Sequence, residues 1–264
     1  KGPVTEALPV GCVVTIAASG SEGSTDSVVT LVTEDGKQYK RCADGDILRP
    51  LFAIMNPELM MTLPPYQTAS GVSDIFAHCL ERYFSDTPDC ELTDRMLEAV
   101  MLTMLKEGRR VMKNPNDYEA RANIMWAAMV AQNNITGVGR AQDWGTHHMD
   151  NEIGINYGAS HGAGLALLFP YWMEYAIKAK GPEKFVKFAT RIFGCQNDFE
   201  HPEVTAMEGV KLLRAFFDEL GMPNSISSLG GKPEDIPGMV ENMFYGAPNH
   251  GNFIKLTPEI AAEI

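Results

Sequence analysis

The spacing of apolar residues changes type near Leu63. Before it, short runs rich in Val, Ile and Leu are bounded by Gly, Asp and Pro, a pattern typical of β-strands. After it, apolar residues recur every three or four positions, which predicts α-helices. The predicted strands are 8–16, 28–32 and 51–55. We therefore expect two parts, a β-rich one at residues 1–63 and an all-helical one at 64–264.

Turn and cap residues divide the helical half. A glycine-containing bend around Gly158 separates two helical runs, and Ser160 stands where it can cap the second run, which begins at His161. Such a bend can fold His161 back toward the pair His147-His148. Outside the bend, the predicted helices are 68–84, 92–112, 118–133, 183–193, 203–220 and 233–244.

Composition restricts the partners of this chain. Acidic residues outnumber basic ones by 34 to 22, and the formal net charge is −12, so we expect no nucleic-acid or membrane partner. The five cysteines are odd in number and lack CxxC spacing, which indicates reduced thiols in a cytoplasmic protein. The most apolar stretch, 163–176, is too short to span a bilayer. Because Lys1 leads into a strand without an initiating Met, we expect a segment of a longer chain.

Asp74 and His78 lie four residues apart in the predicted helix 68–84. At this spacing both side chains share one helix face, where a carboxylate and an imidazole are suited to hold a divalent ion. The same spacing also suits an ordinary salt-linked pair, so this pair alone does not decide between the two interpretations.

The remaining histidines supply further candidate ligands. One of His147 and His148, together with His161, completes a set of three imidazoles and one carboxylate around the bend. Such a set suits Zn²⁺ or Fe²⁺ and is poor for Mg²⁺ or Ca²⁺. Spacing does not choose between His147 and His148, and each residue also has a structural interpretation, as an exposed helix residue or a helix terminus.

A loop of small residues, 17–24, follows the first predicted strand and allows close approach of its backbone to a ligand. No GxGxxG segment with a downstream acid is present, so a complete nucleotide-binding fold is not indicated. A polar turn is the simpler interpretation of this loop.

Three stretches resemble one family. They are Val14-Thr-Ile-Ala-Ala-Ser-Gly-Ser-Glu22, Gly71-Val-Ser-Asp-Ile-Phe-Ala-His78 with the following Cys-Leu-Glu81, and Trp144-Gly-Thr-His147 with His161-Gly-Ala-Gly164. They are similar to the iron-containing (group III) alcohol dehydrogenases, most of all to the butanol dehydrogenase branch. The resemblance implies a dehydroquinate synthase-like architecture, truncated at its N-terminus. In it, residues 1–63 would be an α/β remnant, a partial dinucleotide-binding domain, and residues 64–264 an all-α metal-binding domain. It also implies metal binding by Asp74, His78, His147 and His161. It further implies NAD(P) contacts from Thr15, Ser19, Ser21 and Lys40.

This resemblance predicts a metal-dependent, NAD(P)-dependent alcohol dehydrogenase or aldehyde reductase that uses Fe²⁺ or Zn²⁺ and acts on a small alcohol or aldehyde. We expect a cytoplasmic homo-oligomer such as a dimer. No catalytic acid or base is assigned. The alternatives are a catalytically silent helical module for metal binding or oligomerisation and a metal-dependent lyase of the dehydroquinate-synthase type. The lyase is disfavoured because the chain has few basic residues for an acidic substrate.

Three departures from the family pattern accompany the resemblance. The family's glycine-rich pyrophosphate loop would precede Lys1, so we expect this chain alone to bind NAD(P) poorly. Asn151 stands where many members have a further histidine, which removes a proton-handling group from that position. Asn56 stands where an acid is usual before the proline, and we interpret this as a structural change.

Overall fold

One buried helix, α1 (Pro65–Tyr83), lies at the centre of the helical region. The computed structural model describes residues 4–264. The first three residues of the part predicted at 1–63 therefore lie outside the described residues. Every residue of α1 from Thr68 onward is buried. A helix without an exposed face needs neighbours on all sides. The helices that pack against it are α2 (Glu91–Lys113), α3 (Tyr118–Gln132) and α5 (His161–Lys180). The helix predicted over 68–84 is therefore confirmed, with an earlier start.

Residues 4–264 form nine α-helices in total. After α1 they are α2 Glu91–Lys113, α3 Tyr118–Gln132, α4 Gly145–Tyr157, α5 His161–Lys180, α6 Glu183–Phe193, α7 Pro202–Glu219, α8 Ile236–Met243 and α9 Pro258–Glu263. All six predicted helices correspond to one of these within a few residues. Ser160 stands at the predicted cap position before α5, but its side chain makes no capping hydrogen bond. Its hydroxyl bonds to the Ser70 hydroxyl at 2.7 Å instead of the helix backbone. It links α5 to α1.

An aromatic cluster forms the centre of the apolar core. The Phe84 ring stacks on Phe185 with centroids 4.5 Å apart and lies 5.7 Å from Trp172. Phe253 contacts the same three rings from a segment near the end of the chain. These contacts connect α1, α5 and α6 with the segment after α8, so distant parts of the chain share one core.

Helices α1 and α5 approach each other at a glycine. A methyl group at Gly162 would overlap the Ser70 carbonyl oxygen and lie 2.9 Å from the Asp74 backbone nitrogen. The two backbones therefore touch where α5 begins, a distance that only glycine permits. This contact holds His161, the neighbour of Gly162, beside Asp74.

The β-rich region forms two small sheets instead of one. Strands β1 (Gly11–Val13) and β4 (Phe52–Ile54) are parallel, whereas β2 (Asp26–Val32) and β3 (Gln38–Asp44) form an antiparallel hairpin. The predicted strands 8–16 and 51–55 are correct in place but too long. Strand β3 was missed, because its polar sequence lacks an apolar alternation and its formation depends on pairing with β2.

The strands expose much of their apolar surface. Val28 is 59% exposed, Phe52 is 63% exposed, and Leu51 is also exposed. Hydrogen bonds help to attach the hairpin to the helical region: the Asn242 amide donates to the Gln38 carbonyl at 3.1 Å, and the Gln132 amide donates to Asp26 at 3.0 Å. Among the helices of residues 4–264, none has the length and apolarity needed to cross a bilayer.

Candidate metal centre

Three side chains from three helices meet at one point. Asp74 of α1, His147 of α4 and His161 of α5 each offer a ligand atom, and these atoms lie within 4.8 Å of one another. The Asp74 Oδ1 and His161 Nε2 atoms are 3.7 Å apart, and the His147 and His161 rings have centroids 5.1 Å apart. Two imidazoles and a carboxylate at this separation match the donor set that Zn²⁺ and Fe²⁺ prefer.

The end of α1 fixes the start of α4 and thereby the position of His147. Glu81 accepts the backbone N–H of Trp144 at 2.6 Å and that of His147 at 3.1 Å. Its own carbonyl oxygen accepts the Asp143 N–H at 2.8 Å. Trp144 adopts a left-handed backbone conformation (φ +65°), which turns the chain into α4. His147 thus enters the cluster on the first turn of the helix.

Two ligand atoms in the cluster are buried without a hydrogen-bond partner. Within the described residues, neither Asp74 Oδ1 nor His147 Nε2 makes a hydrogen bond of normal geometry, although His78 Nδ1 lies 3.1 Å from Asp74 Oδ1. Such atoms are costly in a protein interior, because they lose their bonds to water and gain none in return. A cation held between them would satisfy both. The residues therefore fit a bound divalent metal.

The ring of His78 contacts the cluster, but its nitrogen atoms are not in the group of mutually close ligand atoms. Its ring centroid is 4.8 Å from that of His147. Its Nδ1 bonds to the Asp74 backbone carbonyl at 2.8 Å, so Nε2 is the ring atom left for a metal. In the part of the chain that the structure describes, the group of mutually close ligand atoms contains Asp74, His147 and His161 and omits His78. Three of the four predicted ligands are therefore brought together directly.

The fold and this cluster agree with a known family. The sequence model of a protein family, the Fe-containing alcohol dehydrogenase family (C-terminal part), matches residues 68–264, which include all four predicted ligands. This chain belongs to that family. It is similar to NADH-dependent butanol dehydrogenase A of Clostridium acetobutylicum, with 34% identity over 86% of this chain and 57% of the relative. It is also similar to NADPH-dependent aldehyde reductase YqhD of Escherichia coli, with 33% identity over 99% of this chain and 66% of the relative.

The solved structures support the same fold. A crystal structure of NADH-dependent butanol dehydrogenase A from Thermotoga maritima matches with a TM-score of 0.92 and 32% identity, covering 99% of this chain and 66% of that one. The expected fold class, a small α/β part joined to a helical domain, is thereby confirmed. The chain spans between 57% and 66% of the length of these relatives.

The charges around the cluster favour metal-binding protonation states in two of the three ligands. Burial works to raise the pKa of Asp74, but the nearby His78 and His161 outweigh it and lower that pKa. Burial, with help from His78, lowers the pKa of His147 well below its usual value. For His161, burial works to lower the pKa, yet Asp74 and Asp150 raise it to about 9. Asp74 is therefore ionised and His147 neutral near neutral pH.

His148 lies outside the cluster although it is adjacent to His147 in sequence. Its ring stacks on His250 with centroids 4.0 Å apart, and burial followed by the charge of His250 lowers its pKa to about 4. Asn151, which stands where many family members have a histidine, is half-buried.

The residues expected to contact the cofactor lie on β3 and on the loop after β1. Lys40 of β3 brings its ammonium group to 3.5 Å from the position of a methyl group at Gly154 of α4. The loop residues Thr15, Ser19 and Ser21 are exposed. Their backbone packs against α1, because a methyl group at Gly71 would overlap the Ala17 carbonyl oxygen, about one helical turn before Asp74.

Sequence reasoning assigned no role to two acids beside the cluster. Glu81 bonds to His147 Nδ1 at 2.7 Å, and Asp150 bonds to His161 Nδ1. Glu81 had a detectable signal, because it lies seven residues after Asp74 and therefore on the same face of α1. Asp150 had none, since it is eleven residues from His161 and on the other side of the bend.

Proposed function

We propose that this chain is the metal-binding and partial cofactor-binding portion of an NAD(P)-dependent alcohol dehydrogenase or aldehyde reductase. The observation that supports the proposal is the close group of the buried Asp74 with His147 and His161, in which Asp74 Oδ1 and His147 Nε2 make no hydrogen bond of normal geometry among residues 4–264. His78 is the proposed fourth ligand. The names of the similar proteins support an alcohol or aldehyde as substrate.

The bound metal, Fe²⁺ or Zn²⁺, would act as a Lewis acid on the oxygen of the alcohol or aldehyde. The chain's own residues bind and orient: Asp74 supplies the anionic ligand and His147 a neutral nitrogen donor. His161, whose pKa the facing carboxylates raise to about 9, would lose its Nε2 proton when the metal binds. The carboxylate of Asp74 is buried, which strengthens its electrostatic attraction to a cation, whereas the side chain of His161 is 34% exposed. A nicotinamide cofactor, when bound, would supply or accept the hydride.

We propose that the cofactor reaches this site over the loop after β1. Its contacts would come from Thr15, Ser19, Ser21 and Lys40, because the loop packs directly on α1 beside the metal ligands and Lys40 approaches α4. In this proposal, residues 1–63 belong to the cofactor-binding unit and residues 64–264 to the metal-binding unit. A cytoplasmic homo-oligomer remains part of the proposal.

Metal content tests the proposal directly. The purified chain, incubated anaerobically with Fe²⁺ or aerobically with Zn²⁺ and then desalted, should retain about one equivalent of metal. His147→Ala should lower the retained metal below about a tenth of an equivalent, because a ligand is lost. The matched control is His148→Ala, which removes the adjacent imidazole and should retain the metal. Failure of the unaltered chain to retain metal would contradict the proposal.

A catalytically silent metal-binding or oligomerisation module is the second candidate. The exposed apolar surface of the strands, including Leu51 and Phe52, favours it, because exposed apolar patches are typical of protein–protein contact surfaces. The two functions differ in one assay. Oxidation of NADH or NADPH by the metal-loaded chain that depends on an aldehyde such as butanal would eliminate the silent module, whereas metal retention without oxidation would support it.

A further inference from the structure

All three histidines around the cluster have Nδ1 bonded to an oxygen. His78 bonds to the Asp74 carbonyl at 2.8 Å, His147 to the Glu81 carboxylate at 2.7 Å, and His161 to the Asp150 carboxylate. Carbonyl and ionised carboxylate oxygens accept hydrogen bonds, so with Glu81 and Asp150 ionised each Nδ1 carries the hydrogen. In the neutral ring Nε2 then holds the free lone pair. The same tautomer therefore recurs at three positions.

Glu81 and Asp150 differ from another buried acid, Glu98, in what neutralises them. Glu98 is buried too, but it pairs with the guanidinium groups of Arg95 and Arg191. Glu81 is 1% exposed and Asp150 is fully buried. Each of the two directs an oxygen at an imidazole that faces the cluster. Glu81 and Asp150 thus bond to histidines of the cluster, whereas Glu98 pairs with arginines.

Each of these two acids is itself held in place. Glu81 is fixed by the backbone N–H groups of Trp144 and His147. Asp150 lies where α4 faces Gly164 of α5, and a methyl group at Gly164 would overlap Asp150 Oδ1. A side chain fixed by the backbone can fix the ring that it bonds to.

We propose that Glu81 and Asp150 are positioning residues that hold His147 and His161 in the Nδ1–H tautomer with Nε2 turned toward the metal. This inference rests on the proposed function, because it assigns the support of that metal site. Carboxylates in this role orient the imidazole and raise its basicity as a ligand. Without them the rings are free to turn or to place the hydrogen on Nε2.

The test compares Asp150→Ala, Asp150→Asn and Glu81→Ala with Glu98→Gln as the matched control. The amide introduced by Asp150→Asn keeps an oxygen that accepts the His161 N–H. This variant therefore still tests the inference if Asp150→Ala does not fold. Zn²⁺ affinity is measured by competition with a chelator, and the site is observed through the visible spectrum of bound Co²⁺. Histidine tautomers are read from ¹⁵N NMR of the metal-free protein at about pH 10, where His161, with its pKa of about 9, is neutral.

We expect Asp150→Ala and Glu81→Ala to weaken Zn²⁺ binding by about 10- to 100-fold and to alter the Co²⁺ spectrum. Asp150→Asn should lose less affinity than Asp150→Ala, since it retains the acceptor. Glu98→Gln should lower the melting temperature and leave affinity and spectrum unchanged. Unchanged affinity and spectrum in Asp150→Ala and Glu81→Ala would overturn the inference.

The tautomers separate this inference from the proposed function. If the unaltered chain binds no metal, the proposed function fails, and the ¹⁵N spectra then decide the positioning role alone. Loss of the Nδ1–H tautomer at His161 in Asp150→Ala supports that role. An unchanged tautomer at His161 in that variant, and at His147 in Glu81→Ala, refutes it.

Discussion

Substitution of Gly162 by alanine tests whether the contact between α1 and α5 sets the geometry of the metal site. The added methyl group would lie 2.8 Å from the Ser70 carbonyl carbon and 2.9 Å from the Asp74 nitrogen. Ordinary contacts begin near about 3.5 Å, so the helices must separate by more than about 0.5 Å. The atoms involved are backbone atoms, which cannot turn away as a flexible side chain can.

The expected loss of stability is at the upper end of the range for overpacked cores, about 3 kcal/mol. For a chain of this length, that loss lowers the melting temperature by about 6–12 °C. The displacement also carries His161 away from Asp74, whereas metal sites tolerate deviations of only about 0.2 Å in ligand distance. We therefore expect Zn²⁺ affinity to fall by about tenfold or more, in line with the loss of supporting contacts elsewhere.

Thermal unfolding and chelator competition measure the two effects. The matched control is Gly238→Ala in α8, because no described atom lies within 4 Å of the added methyl group. In that open helical position alanine should stabilise by about 0.5–1 kcal/mol. A Gly162→Ala protein with the parent's melting temperature would refute the close approach. A protein that is destabilised but retains full Zn²⁺ affinity would refute its role in placing the ligands.

Two further predictions concern stability. Asp143 accepts the N–H groups of Phe253 and Asn252 at 2.6 and 2.7 Å, so Asp143→Ala should lower the free energy of unfolding in urea by at least about 3 kcal/mol; a loss under about 1 kcal/mol would contradict this. Burial raises the pKa of Glu22, whose Oε1 has no partner in the described chain. The protonated form is favoured in the folded state, so stability is lost as pH rises past the unfolded pKa of about 4.3. Glu22→Gln should therefore gain stability over the parent between about pH 4 and about pH 7, and a constant difference in urea unfolding would contradict it.

The helices could be predicted from sequence because the local helix signals and the tertiary packing favour the same segments. Helix α6 matches its predicted bounds, since its apolar face and its flanking Pro182 and Gly194 all favour the same helix. The hairpin was only half predicted. Strand β3 depends on its partner β2 for backbone hydrogen bonds, and such pairing leaves no local apolar signal.

The candidate site was predictable only as a set of residue types. Adjacent helix residues point about 100° apart, so His147 and His148 face different surroundings, but the direction of each depends on how α4 enters the fold. That entry is set by Trp144 and by the carboxylate of Glu81, which are tertiary contacts. The family resemblance chose His147, and the structure brings that residue to Asp74 and His161.

The arrangement of α1 explains why one helix dominates the site. Asp74, His78 and Glu81 follow one another at intervals of four and three residues and therefore form a polar stripe along a helix that is buried on all sides. Apolar residues there would pack without the cost of burying charges. The stripe is stabilised because the first turns of α4 and α5 each present a histidine to it. The same contacts that neutralise the stripe thus bring the candidate ligands of three helices together, so the helical core and the candidate metal site depend on the same contacts.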